Sequence, residues 1–412
     1  MEEKISNILS HREKKYEKIQ FLKRGFKTVI TVKANIPGVN KNISEAYILI
    51  NIFKNLISRN LIENIQLDQG ADGPSYIIAS NSDAHDIKGM AITLEDTHFL
   101  GRFIDIDIFE GKTSLNRKKM RKCYICDKPA LVCVKNQTHS ASKLVTFIID
   151  NVYNYFKNCI KRLIDSSILM ELNLHPKFGL VTPITNGSHH DMNFDLMVKA
   201  KDAIIPYLLD MFEIGWVSDI ENIFLLIRKI GLEAETEMFL KTKNINAYKG
   251  LIFNLGILVS AYGYVIHNNI DLNEIYNIVK RISVDVLNDF NEESKSFGYQ
   301  AFKQYNILGA RGEVYNGLES VRNALEYLTD FSDQSRIRTL MYLISKTDDT
   351  VLLKRCKSFK KYKRTKEIFK RNIYSDLETI NDIDQNCIKE NLSFGGSADL
   401  LILSVFLRKI GL

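Results

Sequence analysis

Proline and glycine are scarce, at six and 21 of 412 residues, about half the combined share of about 12% in an ordinary globular chain. So few breakers exclude collagen-like, low-complexity and linker-rich architectures and favour long uninterrupted helices. No apolar run reaches the roughly 20 residues needed to span a bilayer. The longest, Gly250 to Ile266, is interrupted by Asn254 and closed by Lys249 and His267, and is expected to be a buried core helix of a soluble protein. The start, Met1-Glu2-Glu3-Lys4, is charged and lacks an apolar stretch, so no signal peptide is expected. Six cysteines are too few for a disulfide scaffold in so long a chain, which makes a reducing, cytoplasmic location the expectation. A Walker A loop is excluded, because no G-x-x-x-x-G-K-S/T occurs.

What the sequence does contain is length enough for two or three domains, each with its own core, and a net charge of +7 that is strongly local. Lys354 to Arg371 holds ten Lys/Arg and one Glu, so the remainder is close to neutral. That distribution argues against a generally basic nucleic-acid binder. The segment reads either as a solvated helix face or as a site for polyphosphate or an acidic protein partner.

The hydrophobic grammar changes along the chain. Phe26 to Ile36 alternates as a strand and stops at Pro37-Gly38. Ser44 to Leu61 has helical spacing, and β-like runs follow at Tyr76–Ala79 and Phe103–Phe109. Beyond this, nearly every apolar segment is helical: Phe147–Leu172, Phe194–Phe212, Asp219–Phe239, Leu251–Ile266, Leu272–Phe290, Val314–Leu328, Ile337–Ile344 and Ala398–Leu407. The fold class expected is an α+β N-terminal domain, residues 1–146, followed by a larger all-α helical domain, residues 147–412.

Two clusters in the first part carry chemistry. Gly101 to Phe109 alternates strictly, placing Ile104, Ile106 and Ile108 on one face of a strand and Asp105 and Asp107 on the other. Paired carboxylates on a strand suit Mg²⁺; a polar outer face is the bland alternative. Cys123-x-x-Cys126, Cys133 and His139 follow the basic run Arg117, Lys118, Lys119, Arg121 and Lys122. Three thiolates and an imidazole at these spacings can close a structural Zn²⁺ site, the alternative being reduced, partly buried cysteines.

In the second part, four polar islands break the helical pattern. His175 to Val181 leads to Asn186-Gly187-Ser188-His189-His190-Asp191-Met192. Asn246 to Gly250 opens a helix, Gly309-Ala310-Arg311-Gly312-Glu313 follows, and Gly395-Gly396-Ser397-Ala398-Asp399 opens another helix. Each alone fits a cap or turn. Four together, bringing Lys, Arg, His, Asp and Glu, point to phosphate and ribose recognition.

These islands, in this order, resemble the triphosphoribosyl-dephospho-CoA synthase family. Pro176, Lys177, Gly179, Leu180 and Val181 fit its first motif; Gly187, His189, Asp191 and Met192 its second; Asn246, Lys249 and Gly250 its third. Gly309 to Glu313 and Gly395 to Leu401 match in full, and Asp349, Thr350 and Arg355 fit a D-T-x-x-x-x-R motif. Phe178, Tyr248 and Cys356-Lys357 depart from the family's proline, histidine and glycines. The first part resembles apo-citrate lyase phosphoribosyl-dephospho-CoA transferase through Asn35 to Gly38, the G-R-x-x-D-x-D run at 101–107, and the Cys/His cluster.

The resemblance implies two transferase reactions on ATP, 3′-dephospho-CoA and the acyl carrier protein of citrate lyase, with Mg²⁺ as cofactor and neither nucleic acid nor membrane as partner. It implies Lys177, Lys249 and Arg311 as phosphate clamps. Asp191, Glu313 and Asp399 become base and metal ligands, and His189 a proton carrier. Gly179, Asn246, Gly250, Gly395, Gly396, Ser397 and Arg355 fall in the substrate site, Arg102 steadies a phosphate, and Asp105 and Asp107 hold the metal of the transferase. A nucleic-acid-binding protein with a Cys/His zinc knuckle and a basic helix is the alternative.

Overall fold

The computed structural model describes residues 2–58, 64–111, 113–115, 117, 120–126 and 128–412. Lys118 and Lys119 of the basic run, and the end of the expected helix at 59–61, lie outside the described residues. The chain forms two compact units, one of residues 1–158 with 267–269 and one of the remainder.

The first unit contains α1 (Glu2–Leu22), β1 (Thr28–Ala34), α2 (Ser44–Ser58), β2 (Asn64–Asp68), β3 (Ser75–Ser80), α3 (Ala84–Thr97), β4 (Ile104–Glu110), β5 (Thr113–Ser114) and α4 (Ala130–Lys135). The strands form one antiparallel sheet in the order β2-β3-β1-β4-β5. Its register puts Ile30 opposite both Ile78 and Ile108, so one face is a continuous apolar stripe, all three fully buried. Helices α2 and α3 pack on the sheet; fully burying a side chain such as Phe53 contributes about 1.5–3 kcal/mol. The opposite face is divided. Val29, Ile77 and Ala79 meet Ile19 and Leu22 of α1 in one cluster. Further along the strands, that face carries Lys33 opposite Asp105 and Thr31 opposite Asp107.

Helix α5 (Ala141–Leu172) runs through the division between the units. The second unit continues with α6 (Phe194–Val217), α7 (Ile220–Lys241), α8 (Lys249–His267), α9 (Ile275–Ile282), α10 (Phe297–Tyr305) and α11 (Ala310–Tyr315). It ends with α12 (Glu319–Ala324), α13 (Asp333–Lys346), α14 (Thr350–Cys356), α15 (Phe359–Arg371), α16 (Leu377–Lys389) and α17 (Gly395–Ile410). The α+β and all-α expectation holds. By length and composition α8 is apolar enough to cross a membrane, but 72% of its apolar window is buried inside the protein. It is a core helix, pressed so closely on α6 that a Cβ at Gly215 would overlap the Ser260 carbonyl. The expected single helix over Leu272–Phe290 is broken at Ser283, whose hydroxyl donates to Val279 O and Val314 O at 2.7 and 3.0 Å. Under the basic run of α15, Tyr362, Thr365 and Phe369 turn inward.

Candidate active sites

The four polar islands of the helical unit converge. One cavity of about 660 Å³ is lined by Lys177, Leu180, Val181, His189 and Met192 of the first, and by Asn246 through Gly250 of the second. Gly309, Ala310, Arg311 and Glu313 of the third line it too, with Gly395, Gly396, Ala398 and Asp399 of the fourth. Tight backbone packing brings these segments together. Gly187 lies so close on the Gly179 carbonyl that it has no room for a side chain, and a Cβ on Gly179 would meet Leu392 O at 2.6 Å. Both glycines have positive φ, a conformation that costs glycine nothing.

At the end of α5, Glu171 is buried and lines the cavity. Lys177 is 2% exposed; its Nζ lies 2.9 Å from Glu171 Oε1 and donates to Glu171 O at 3.0 Å. Burial pushes this ammonium below its usual range against the pull of Glu171. Asp399 lies beyond, near the start of α17. Burial, reinforced by the like charges of Glu171 and Asp349, holds its carboxyl well above the usual carboxylate range. Tyr248 and Asn254 complete this interior: both are buried and line the cavity, and Tyr248 Oη and Asn254 Oδ1 have no hydrogen-bond partner. Unsatisfied buried polar atoms facing a cavity are what a polar ligand would pair.

The cationic residues sit elsewhere on the lining. Lys249 Nζ pairs with Glu235 Oε2 at 2.7 Å. Arg311 Nε donates to Asp289 Oδ2 at 2.9 Å and its guanidinium lies over Phe290 at 5.4 Å. Glu313 is largely a structural cap, because its Oε1 accepts from the amides of Ser320 and Val321 at 2.9 and 3.3 Å; burial raises its carboxyl while those bonds oppose the shift. Asn246 Oδ1 caps α8 by accepting from Lys249 N at 3.2 Å.

His189 Nε2 meets Ser393 Oγ at 2.9 Å and its Nδ1 faces Arg355 Nη2 at 3.4 Å. Burial first, then the Arg355 charge, lowers the imidazole pKa. Arg355, Gly179, Ser397 and Asp191 are not among the described residues lining the cavity. Arg355 braces its edge through Ser188 O and Asn391. The Gly179 amide donates to Asp384 Oδ1 at 3.1 Å. Ser397 donates through N and Oγ to Asp349 Oδ2, at 2.8 and 3.0 Å, and Asp191 is exposed. Sequence reasoning missed Glu171 and Asn254, and it placed Tyr248 in the second island without giving it a role in the site. Glu171 sits inside the run Ile168-Leu169-Met170-Glu171-Leu172, where only its being a lone charge in an apolar stretch marks it.

In the first unit, a second cavity of about 710 Å³ is lined by Asn35 to Gly38, Lys41, Arg102, Arg121 and Tyr124, and by Cys123, Cys133 and His139. Arg121 links this cavity to the strand carboxylates: its Nη1 lies 2.5 Å from Asp105 Oδ1 and its Nη2 2.5 Å from Glu95 Oε1. Burial raises the Asp105 carboxyl, Arg121 opposes, and Asp107 and Glu95 add to the rise. On the same sheet face, Lys33 pairs with the buried Asp72, which also accepts from Arg12. The ligand atoms of Cys123, Cys126, Cys133 and His139 all lie within 4.8 Å of one another.

Comparison with known proteins agrees with this division. The family model for ATP:dephospho-CoA triphosphoribosyl transferase matches residues 157–412, and that for apo-citrate lyase phosphoribosyl-dephospho-CoA transferase matches residues 3–155. Among curated relatives, Protein CitXG of Leuconostoc mesenteroides subsp. cremoris is 31% identical over 98% of this chain and 97% of its own length. Protein CitXG of Haemophilus influenzae is 27% identical over 90% and 88%. A probable 2-(5''-triphosphoribosyl)-3'-dephosphocoenzyme-A synthase of Malonomonas rubra is 32% identical over 60% of this chain and 85% of its own. The nucleic-acid alternative gains no support from any of these. The chain is a transferase that belongs to the ATP:dephospho-CoA triphosphoribosyl transferase family, fused to an N-terminal domain of the apo-citrate lyase phosphoribosyl-dephospho-CoA transferase family.

Proposed function

We propose that the two units build and attach the prosthetic group of citrate lyase in succession. The observation that carries this reading is the convergence of all four polar islands on one cavity whose interior holds Glu171, Tyr248, Asn254 and Asp399. In the helical unit, the 2′-hydroxyl of 3′-dephospho-CoA attacks C1′ of ATP. The O2′–C1′ bond forms, the C1′–N9 bond breaks, and its electron pair leaves with adenine while the triphosphate stays on the ribose. The transition state is oxocarbenium-like. Asp399 takes the hydroxyl proton; burial and the neighbouring carboxylates raise its pKa, which makes its ionised form a stronger base than an ordinary carboxylate. Tyr248 and Asn254 hold polar groups of the substrates in a site shielded from water. Lys249 and Arg311 receive the triphosphate by exchanging Glu235 and Asp289 for it, and His189 relays the proton taken up by Asp399 to N9 of the departing adenine. Lys177 acts as the positioning cation of Glu171.

In the first unit, the serine hydroxyl of the acyl carrier protein attacks the α-phosphorus of the triphosphoribosyl group. The P–O bond to the β-phosphate breaks, pyrophosphate leaves with its electron pair, and the serine proton passes to water. Asp105 and Asp107 share one face of β4, outside the lining of the cavity, and would hold Mg²⁺ as oxygen ligands once Asp105 gives up its pairing with Arg121. When bound, the ion neutralises charge on the diphosphate. Arg102 and Arg121 face the cavity that would receive the phosphates.

The test uses the full chain with ATP, 3′-dephospho-CoA and apo carrier protein, reading free adenine and carrier mass together. Asp105→Asn with Asp107→Asn is expected to abolish carrier labelling and leave adenine release unchanged. Equal loss of both signals in folded protein would contradict the division of labour.

A further inference from the structure

We propose that Cys123, Cys126, Cys133 and His139 bind one structural zinc ion, and that this clasp holds Arg102, Arg121 and Tyr124 in the wall of the N-terminal cavity. Four donors meet at one point: Cys126 Sγ lies 3.4 Å from Cys133 Sγ and 3.4 Å from His139 Nε2, and all four ligand atoms fall within 4.8 Å of one another. Tetrahedral zinc with Zn–S near 2.3 Å needs sulfurs about 3.8 Å apart, which small shifts of these side chains reach. Three thiolates and an imidazole are a soft donor set that selects zinc over Mg²⁺ or Ca²⁺.

A second observation is independent of the donors. Among the described residues from 120 to 140, only Cys123 and Cys133 are buried, while Leu131, Val132 and Val134 are 68%, 42% and 72% exposed. The segment therefore has almost no apolar core of its own, and its turn and short helix are ordered around the sulfur cluster. Segments with so little core are held by metal, whose binding free energy becomes folding free energy. Backbone bonds complete the knuckle: Cys123 N donates to Lys128 O at 2.8 Å, and the amides of Ile125 and Cys126 point at the Cys123 sulfur.

What the clasp fixes is the cavity wall. Arg102 donates to the carbonyls of Lys122 and Cys123, the latter at 2.6 Å. Arg121 reaches Asp105 from two residues before the first ligand. Tyr124, between two ligands, donates to Asn35 O at 3.0 Å. The zinc ligands are thus positioning residues for the cationic groups that face phosphate.

Elemental analysis of the full chain, prepared under reducing conditions with zinc supplied, tests the metal without reference to activity. About one zinc per chain is expected, retained in Cys159→Ser and His139→Cys and reduced about tenfold in Cys126→Ser and Cys133→Ser. Wild-type protein with under about 0.2 equivalents, or Cys126→Ser with undiminished zinc, overturns the proposal. So does a Cys126–Cys133 disulfide found by mass spectrometry in active wild-type protein. The second arm rests on the transferase reading. Carrier labelling is expected to fall with zinc in Cys126→Ser and to be rescued in the zinc-retaining His139→Cys, while adenine release by the helical unit stays within about twofold and reports intact folding. Labelling that ignores zinc content would remove the positioning role and leave the metal site standing.

Discussion

The backbone of Gly250 lies directly against the carboxylate of Asp399. A Cβ built at residue 250 would come closer to Asp399 Oδ2 than real Cβ atoms approach any oxygen. The start of α8 and the N-terminal part of α17 thereby meet at one point of the cavity lining. Gly250→Ala must displace either the carboxylate or the helix. Because a misplacement of about 1 Å can cost about 10²-fold in rate, adenine release should fall by about that factor, with the denaturant midpoint little changed. Steady-state kinetics with chemical unfolding on the same preparation separates the two; wild-type rates would mean that Asp399 is not positioned by this contact.

Asp399→Asn is expected to inactivate the synthase and yet stabilise it. The folded pKa of Asp399 is raised, so its neutral form is favoured by folding. The stability linked to that form is full below the unfolded pKa and is lost as pH rises through the folded value. Asparagine is neutral throughout. The variant should therefore melt above wild type at pH 8 by about 2–4 °C for each kcal/mol recovered, with the gap closing at low pH. Wild-type adenine release should rise as pH passes through the same folded pKa. A melting gap independent of pH would contradict the assignment.

Lys177→Met leaves Glu171 buried without its cation, which typically costs about 3–5 kcal/mol. Lys177→Met with Glu171→Leu should regain most of that loss in urea unfolding, because no unpaired charge remains. Equal destabilisation by both would show that the pair contributes through something other than mutual compensation.

Arg355→Met removes the charge beside His189 Nδ1. The imidazole pKa should rise towards the ordinary value of about 6.5, although burial, the larger cause of its depression, remains. An NMR titration of the ring protons reads this directly, and an unchanged pKa would mean that the two side chains do not interact in solution.

Much of this architecture was legible in the sequence because burial imposes a period. Ile104, Ile106 and Ile108 alternate because one sheet face is buried, and α8 is apolar all round because helices surround it. The four islands were legible as breaks, since glycine and polar clusters interrupt an otherwise helical chain. Helix α1 was not: only Ile8, Lys15, Ile19 and Leu22 of its 21 residues are buried, too sparse a stripe to stand out. Helix α15 was legible as a charged helix face, but its inward stripe of Tyr362, Thr365 and Phe369 was not. The site's interior was least legible. Glu171 and Asn254 lie within helices rather than in the islands, and only the folded chain shows that they face the cavity. The motif residues Lys177 and Glu313 are committed to internal bonds, a fact that spacing does not encode.

The central claim is that one cavity in the helical unit exchanges adenine for an acceptor hydroxyl while keeping the triphosphate. It is tested most directly by following ATP and 3′-dephospho-CoA with the full chain by mass spectrometry. Free adenine should appear in equal amount with a triphosphoribosylated 3′-dephospho-CoA, and neither should form when the acceptor is omitted. Adenine released at the same rate without acceptor, or ADP and AMP in place of adenine, would contradict it.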